Sequence, residues 1–237
     1  MTKCPNCKRE YDLGELPSIN CVCGAKVFND KNIAPPSRTT PVEELEGYMK
    51  KFKIKEGDIV IDAGAYIGEF TVLASKLVGK KGKVISFEPN PNNYKVLLNE
   101  VIKNKITNVI TINKGLWSEN KTLGLSRNGM ASTFIRGLSN GSVEEIPVVS
   151  LDNELKELGR KKVDFIKMDV EGAEIEAVKG CKETLKDNDV KLAIASYHWV
   201  NGQPTCYELE KLLRSYGYKA ETLLEGQLLT YASKVKV

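Results

Sequence analysis

Apolar and polar positions follow two periods along most of the chain. Short apolar runs at residues 59–61, 84–87, 109–112, 163–170 and 190–196 have the length and β-branched content of buried parallel strands. Between them, apolar residues recur at helical spacing. Phe70, Leu73, Ala74 and Leu77 form one such face, Tyr94, Leu97, Leu98 and Val101 a second, and Ile175, Val178 and Leu185 a third. Residues 205–215 are helical, and an earlier helix starts at Pro41 behind Thr40, with Leu45, Tyr48, Met49 and Phe52 as its packing face. Ser150-Leu-Asp152 opens another helix, and residues 218–223 and 227–232 read as a hairpin turning at Glu225-Gly226. Strands alternating with helices and closed by a hairpin predict a Rossmann-like α/β domain: a mainly parallel seven-stranded sheet with an antiparallel last strand. Residues 114–149 are less regular. There, residues 123–125, 132–135 and 143–149 read as short antiparallel strands of an insertion near the active site.

The first 34 residues follow neither period. Cys4-Pro-Asn-Cys7 and Cys21-Val-Cys23-Gly24 are two tight thiol pairs in Gly- or Pro-bearing turns. Two such knuckles place four thiolates around a structural Zn²⁺, although Cys-x-Cys replaces the usual Cys-x-x-Cys in the second. Tyr11, Leu16, Val27 and Phe28 supply a small ribbon between and after the knuckles, a unit too short to fold without its metal. Residues 35–41 are Pro-rich and read as a linker, so the expected organisation is a zinc-ribbon-like unit at 1–34, a linker at 35–41 and an α/β domain at 42–237.

Composition changes this picture little. With 41% hydrophobic and 28% charged residues in 237, the chain is globular, and its net charge of +4 neither demands nor excludes a polyanionic partner. No run reaches the roughly 18 apolar residues of a membrane span, and the N-terminus lacks a signal-peptide core, so the expectation is a cytoplasmic protein with no membrane span. Six cysteines in such a compartment point to metal rather than disulfides, with the isolated Cys181 and Cys206 as small core residues.

The candidate chemistry begins at the end of the first core strand. A dinucleotide site needs G-x-G-x-x-G to seat a pyrophosphate on the next helix. Here the pattern is Asp62-x-Gly64-x-x-x-Gly68, and a leading carboxylate repels phosphate while accepting hydrogen bonds from a cationic, amino-bearing ligand. Glu88 ends the second strand about twenty residues on, where an acid takes both hydroxyls of a ribose. The cofactor this combination fits is S-adenosylmethionine, lined by Asp62, Gly64, Ala65, Tyr66, Gly68, Glu88 and Pro89. Trp117, just past the third strand, lies where adenine sits in such folds.

Across the crevice, the fourth strand ends in Asp169-Val-Glu171-Gly172-Ala-Glu174, and the fifth runs into Tyr197-His198. The ordinary reading makes Asp169 a helix cap and Glu174 a first-turn charge. Two acids and the chain's one histidine at a strand-order reversal exceed what capping requires. Asp169, Glu171 and His198 are therefore catalytic candidates, Asp169 touching the cofactor as well, with His198 the first choice of base and Asp169 the second. The same three side chains also suit a divalent ion that lowers the pKa of a bound hydroxyl.

At these residues the chain resembles the FkbM family of S-adenosylmethionine-dependent methyltransferases. The resemblance rests on Ile61-Asp-Ala-Gly-Ala-Tyr-Ile-Gly-Glu-Phe-Thr71, Phe87-Glu-Pro-Asn-Pro91 with Leu98-Asn99, Ser150-Leu-Asp152, Phe165-Ile-Lys-Met-Asp-Val-Glu-Gly-Ala-Glu174 and Tyr197-His198. Tyr66 departs from the Asn often found there, and the cysteine unit lies outside the resemblance. The resemblance implies a class I methyltransferase fold and O-methylation of a sugar, glycan or other small-metabolite hydroxyl. The competing reading is an RNA or protein methyltransferase that docks its substrate through the zinc unit, although residues 1–34 are not Arg-rich.

Overall fold

The central sheet has seven strands: β1 (Ile59–Ala63), β2 (Lys83–Phe87), β3 (Val109–Ile112), β4 (Phe165–Met168), β5 (Lys191–Ala195), β6 (Tyr218–Glu225) and β7 (Gln227–Lys234). Their spatial order is β6-β7-β5-β4-β1-β2-β3. β7 runs antiparallel to both its neighbours, and the other pairings are parallel. The structure is a computed structural model, and it describes residues 2–3, 8, 10–11, 18–20, 26–28, 41–126 and 143–235.

The apolar runs become strands because both sheet faces are covered, leaving Val60, Ile61, Val84, Ile85 and Ile166 without exposure. Helices α1 (Pro41–Tyr48), α2 (Glu69–Val78), α3 (Pro91–Lys103), α4 (Leu151–Glu157), α5 (Glu174–Lys179), α6 (Lys182–Asp187) and α7 (Cys206–Ser215) complete the domain. α3 starts where Asn90 accepts the Asn92 and Asn93 N–H groups ahead of Pro91, and Ser150 caps α4 through Asn153 N–H at 3.3 Å.

Chain direction places the site. From β1 the sheet grows one way through β2 and β3, then resumes on the other side of β1 with β4. The strand order therefore reverses between β1 and β4, where a crevice opens at the carboxyl ends. The register pairs Met168 with Ala63, so the chain segments that follow, at Gly64 and Asp169, emerge side by side.

Several expectations change on packing. α2 buries Phe70, Thr71, Ala74, Ser75 and Val78 and leaves Leu77 38% exposed, so its face is turned from the apolar one predicted. The turn delivers the Thr71 hydroxyl to buried partners on β1 and β2. α3 buries Leu97 and Val101 but leaves Leu98 at the surface. The helix expected after β4 is two, α5 and α6, divided at Gly180, where an added Cβ would stand 2.0 Å from the Trp117 carbonyl. Ile175, Val178 and Leu185 are nonetheless all buried.

The irregular stretch contains a small sheet in which Val143–Val149 pairs parallel with Gly115–Leu116 and antiparallel with Lys121–Ser126, while the strand expected at 132–135 lies outside the described residues. At the N-terminus, Thr2–Lys3 pairs with Glu10–Tyr11 and Ser18–Asn20 with Lys26–Phe28. Cys4, Cys7, Cys21 and Cys23 lie outside the described residues, as do residues 35–40 of the linker, and α1 begins at Pro41. None of the described helices is long and apolar enough to cross a membrane.

Candidate functional site

The turn after β1 is shaped by contacts that leave no room for side chains. Gly64 has φ +78, and a Cβ there would lie 1.8 Å from the Asp169 carbonyl oxygen. Gly68 has φ +98, and its Cβ would meet Leu97 at 2.8 Å. The N–H groups of Gly64 and Ala65 both donate to the Phe87 carbonyl, at 3.0 and 2.9 Å, which ties the turn to the end of β2. Tyr66 takes a left-handed conformation, φ +51, and its N–H donates to Glu88 Oε2 at 2.8 Å. Asn90 N–H donates to Glu88 Oε1 at 2.9 Å. Burial pushes the Glu88 carboxyl up to about 7, against the pull of the Asn90 and Tyr66 N–H groups, the Asn93 side chain and Lys167.

Beneath this turn lies a buried ion pair. Asp62 has no exposure; its Oδ2 accepts from Thr71 Oγ1 at 2.6 Å, and its Oδ1 lies 3.1 Å from Lys167 Nζ. The ammonium donates to the Gly64 carbonyl at 2.7 Å and sits over the rings of Tyr48 and Phe70. Burial alone would lower the Lys167 pKa, but Asp62 and Asp169 reverse the shift and hold it above the usual lysine value. Asp62, expected to receive the ligand, is enclosed by Thr71 and Lys167 and fixes the turn from below.

On the far wall, His198 is surrounded by carboxylates. Its Nδ1 lies 2.9 Å from Glu174 Oε1; its Nε2 lies 3.3 Å from Glu171 Oε2 and 3.8 Å from Asp169 Oδ1. Neither ring nitrogen makes a directed hydrogen bond among the described residues, nor does Asp169 Oδ1 or Glu174 Oε2. Burial would depress the imidazole pKa, but Glu174, Glu171 and Asp169 hold it well above its ordinary value. Asp169 Oδ2 accepts from Tyr48 Oη at 2.9 Å, and Gln227 Nε2 donates to the same phenol at 3.2 Å, so α1 and β7 both brace Asp169.

Glu174 corrects the sequence reading. It is fully buried, and its Oε1 accepts from Gly172 N–H at 3.1 Å and Val170 N–H at 3.3 Å. It therefore locks the Asp169–Glu171 turn in addition to facing His198. Asp169 does not cap α5, whose N-cap is Ala173. Glu171 takes a left-handed conformation, φ +54, ahead of Gly172 at φ +96, and its carboxylate lies 3.3 Å from His198 Nε2.

Of the expected site residues, Gly64, Ala65, Tyr66, Gly68, Glu88 and Pro89 gather at one turn, and Asp169, Glu171 and His198 form one cluster beside it. Trp117 does not join them: its ring packs against Ile146, Val148 and Ala173 and is 9% exposed. Lys167 and Tyr48 were missed. The available signal was a lysine inside the buried run Phe165-Ile-Lys-Met168, because a charge in a doubly covered strand needs a partner. Also missed was the hairpin of Trp199–Val200 with Gln203–Pro204, which turns at Asn201-Gly202, both at positive φ. It is rooted on the site by Thr205 N–H donating to the His198 carbonyl at 2.8 Å.

Residues 62–220 match the family described as the methyltransferase FkbM domain. The methyltransferase sdnD of Sordaria araneosa is 30% identical over 157 residues, covering 52% of this chain and 60% of its own length. The hexuronic acid methyltransferase AglP of Haloferax volcanii is 30% identical over 145 residues, covering 61% of this chain and 57% of its own. The chain thus spans less than two thirds of either relative. Among solved structures, methyltransferase FkbM from Methylobacillus flagellatus KT superposes with TM-score 0.60 at 20% identity, over 81% of this chain and 48% of that one. A SAM-dependent methyltransferase from Aquifex aeolicus gives TM-score 0.51 at 22% identity, over 88% of this chain and 100% of that one. At these identities the likeness is one of fold, the mainly parallel sheet of class I methyltransferases.

Proposed function

We propose, from the premise that the chain belongs to the FkbM methyltransferase-domain family, that it methylates a hydroxyl oxygen of a sugar or another small metabolite using S-adenosylmethionine. The observation that carries this reading is the pairing of two poles across the β1/β4 crevice: a glycine turn closed by Glu88, and an acid–imidazole cluster with ring and carboxylate atoms lacking directed hydrogen bonds. A relative named for a hexuronic acid supports a sugar as the acceptor class.

The residues fit the cofactor. Gly64 and Gly68 let the turn pack against the Asp169 backbone and Leu97, Ala65, Tyr66 and Pro89 border it, and the Glu88 carboxylate sits where ribose hydroxyls would donate. S-adenosylmethionine supplies an electrophilic methyl carbon on a sulfonium. The chain's own work is to hold the acceptor oxygen in line with that carbon and to take its proton, much of the rate coming from the positioning. Asp169, Glu171 and Glu174 outnumber His198, so the far wall is anionic and suits a cationic ligand. His198, named first as base from the sequence, stands among three carboxylates, with Glu174 Oε1 2.9 Å from Nδ1 and Glu171 Oε2 3.3 Å from Nε2. The acceptor's proton passes to this cluster, to His198 or to the Asp169 and Glu171 carboxylates beside it.

The four N-terminal cysteines retain their reading as a structural zinc site of a cytoplasmic protein. Cys4 and Cys7 fall in the connection between one pair of short strands, and Cys21 and Cys23 in the connection between the other, the chain positions of two zinc knuckles.

The test is transfer of a labelled methyl group to uronic acids, neutral sugars, total RNA and total protein, with S-adenosylmethionine affinity measured by calorimetry. The expected result is label in a sugar as a base-stable ether, and His198→Ala lowering turnover about 100-fold, in the range of a lost acid–base group, at unchanged cofactor affinity. Label confined to RNA or protein would replace the acceptor class, and a chain that does not bind the cofactor would overturn the reading altogether.

A further inference from the structure

We propose that Asp169, Glu171 and His198 Nε2 form a binding site for one divalent, oxygen-preferring cation, with Glu174 holding the imidazole from behind. The inference rests on the methyltransferase reading and refines how the acceptor hydroxyl is ionised.

Three observations carry it. The first is spacing. One ligand atom from each of the three residues lies within 4.8 Å of the other two, with Nε2 to Glu171 Oε2 at 3.3 Å and to Asp169 Oδ1 at 3.8 Å. Two ligands bound at about 2.1–2.4 Å and at right angles stand about 3.0–3.4 Å apart, and wider angles reach about 4 Å. The cluster is thus already at ligand spacing, with little closure required.

The second is the absence of directed hydrogen bonds. Buried polar atoms are ordinarily partnered. Here both nitrogens of His198, Asp169 Oδ1 and Glu174 Oε2 lack a directed partner among the described residues, although the atoms approach one another closely. Glu174 is fully buried, so its orphan oxygen is not satisfied by bulk water. Of these, His198 Nε2 and Asp169 Oδ1 lie 3.8 Å apart with Glu171 Oε2 3.3 Å from the nitrogen, and one cation would partner all three.

The third is support. A ligating imidazole is ordinarily held at its other nitrogen by a carboxylate. Glu174 Oε1 stands 2.9 Å from His198 Nδ1 and is itself fixed by the N–H groups of Val170 and Gly172. Asp169 is fixed through Oδ2 by Tyr48, which leaves Oδ1 as its free donor atom. Glu171, the most exposed of the three at 31%, is held toward the imidazole by its left-handed backbone. Two carboxylates and one imidazole favour Mn²⁺ or Mg²⁺ over thiophilic ions. They also leave positions for an acceptor's oxygens. A hydroxyl bound there ionises more readily. Its oxygen forms the new C–O bond, the methyl C–S bond breaks with its electron pair returning to sulfur, and the proton leaves through the solvent-facing Glu171 carboxylate.

The experiment is Mn²⁺ titration of the intact chain, followed by the loss of the free-ion electron paramagnetic resonance signal. Mn²⁺ is chosen because it competes poorly for the N-terminal thiolates. The expected result is one saturable site per chain, weakened at least tenfold in Glu171→Gln and in His198→Ala, and less in Glu174→Gln. Circular dichroism and S-adenosylmethionine affinity, unchanged in Glu171→Gln, show that the fold persists. Saturation absent below about 1 mM, or Glu171→Gln binding as tightly as the parent, overturns the site. Methyl transfer that continues at full rate with a chelator present also overturns it and leaves the methyltransferase reading standing. Mn²⁺ binding with no methyl transfer to any acceptor class sinks that reading instead and leaves the cation site intact.

Discussion

Glu88 makes a prediction whose sign and size follow from its surroundings. The carboxyl is buried at the end of β2, and burial raises its pKa from 4.5 to about 7 even though Tyr66 and Asn90 donate to it. A group whose folded pKa is raised contributes stability that is fully present below its unfolded pKa and lost as pH rises through the folded value. The window is therefore pH 4.5 to 7, and at 1.36 kcal/mol per pH unit its width corresponds to about 3 kcal/mol. The perturbation is Glu88→Met, which removes the carboxyl and strands two N–H donors at a cost that does not depend on pH. The assay is urea unfolding of parent and variant from pH 4.5 to 8.5. Relative to the variant, the parent should lose about 3 kcal/mol across the window and then level off. Binding should run the other way. If ribose hydroxyls donate to ionised Glu88, S-adenosylmethionine affinity should fall about tenfold per pH unit below 7. A parent-minus-variant stability that is flat from pH 5 to 8 would refute the reasoning, because it would mean that the carboxyl is not held out of water.

Two further predictions concern the frame of the turn. Gly64→Ala should destabilise by at least about 3 kcal/mol, because strain at positive φ adds to a backbone collision at 1.8 Å; Gly57→Ala, with φ +88 but nothing within 4 Å, should cost only about 1–2 kcal/mol. Equal midpoint shifts in thermal denaturation would remove the steric argument. Lys167→Met should cost about 3–5 kcal/mol by leaving Asp62 charged and alone in the interior, and adding Asp62→Asn should recover part of that loss; a single variant within 1 kcal/mol of the parent would contradict the buried pair.

Legibility from sequence tracked the range of the interaction. The β1 turn was readable because its constraints are local: Gly64 and Gly68 must adopt positive φ, and Glu88 follows one helix and one strand later. Asp169, Glu171 and His198 were readable as a group because strand ends in a parallel sheet converge. Their chemistry was not. Glu174 looked like a helix-start charge because only four residues of context were visible. Its burial depends on a histidine 24 positions on (198 − 174), delivered by a different strand. Asp62 and Trp117 were read from chain position alone. Both occupy plausible positions, but packing turned one toward Thr71 and Lys167 and the other toward Ile146 and Val148.

The rotation of α2 shows the same boundary. Its amphipathic period predicted a helix, and the helix is there, but Leu77 ended outside and Thr71 inside. Periodicity counts apolar residues and cannot weigh a hydroxyl that satisfies Asp62 Oδ2 and Ser86 in the core. By itself, the chain's pattern determined the sheet, its strand directions, the crevice and the residue types at its mouth, because these follow from local periodicity and backbone sterics. The tertiary structure alone decided which acids face ligand, which face lysine and which face histidine. A carboxylate's role depends on the charges and N–H groups within a few ångströms of it, and those come from segments that sequence separation hides.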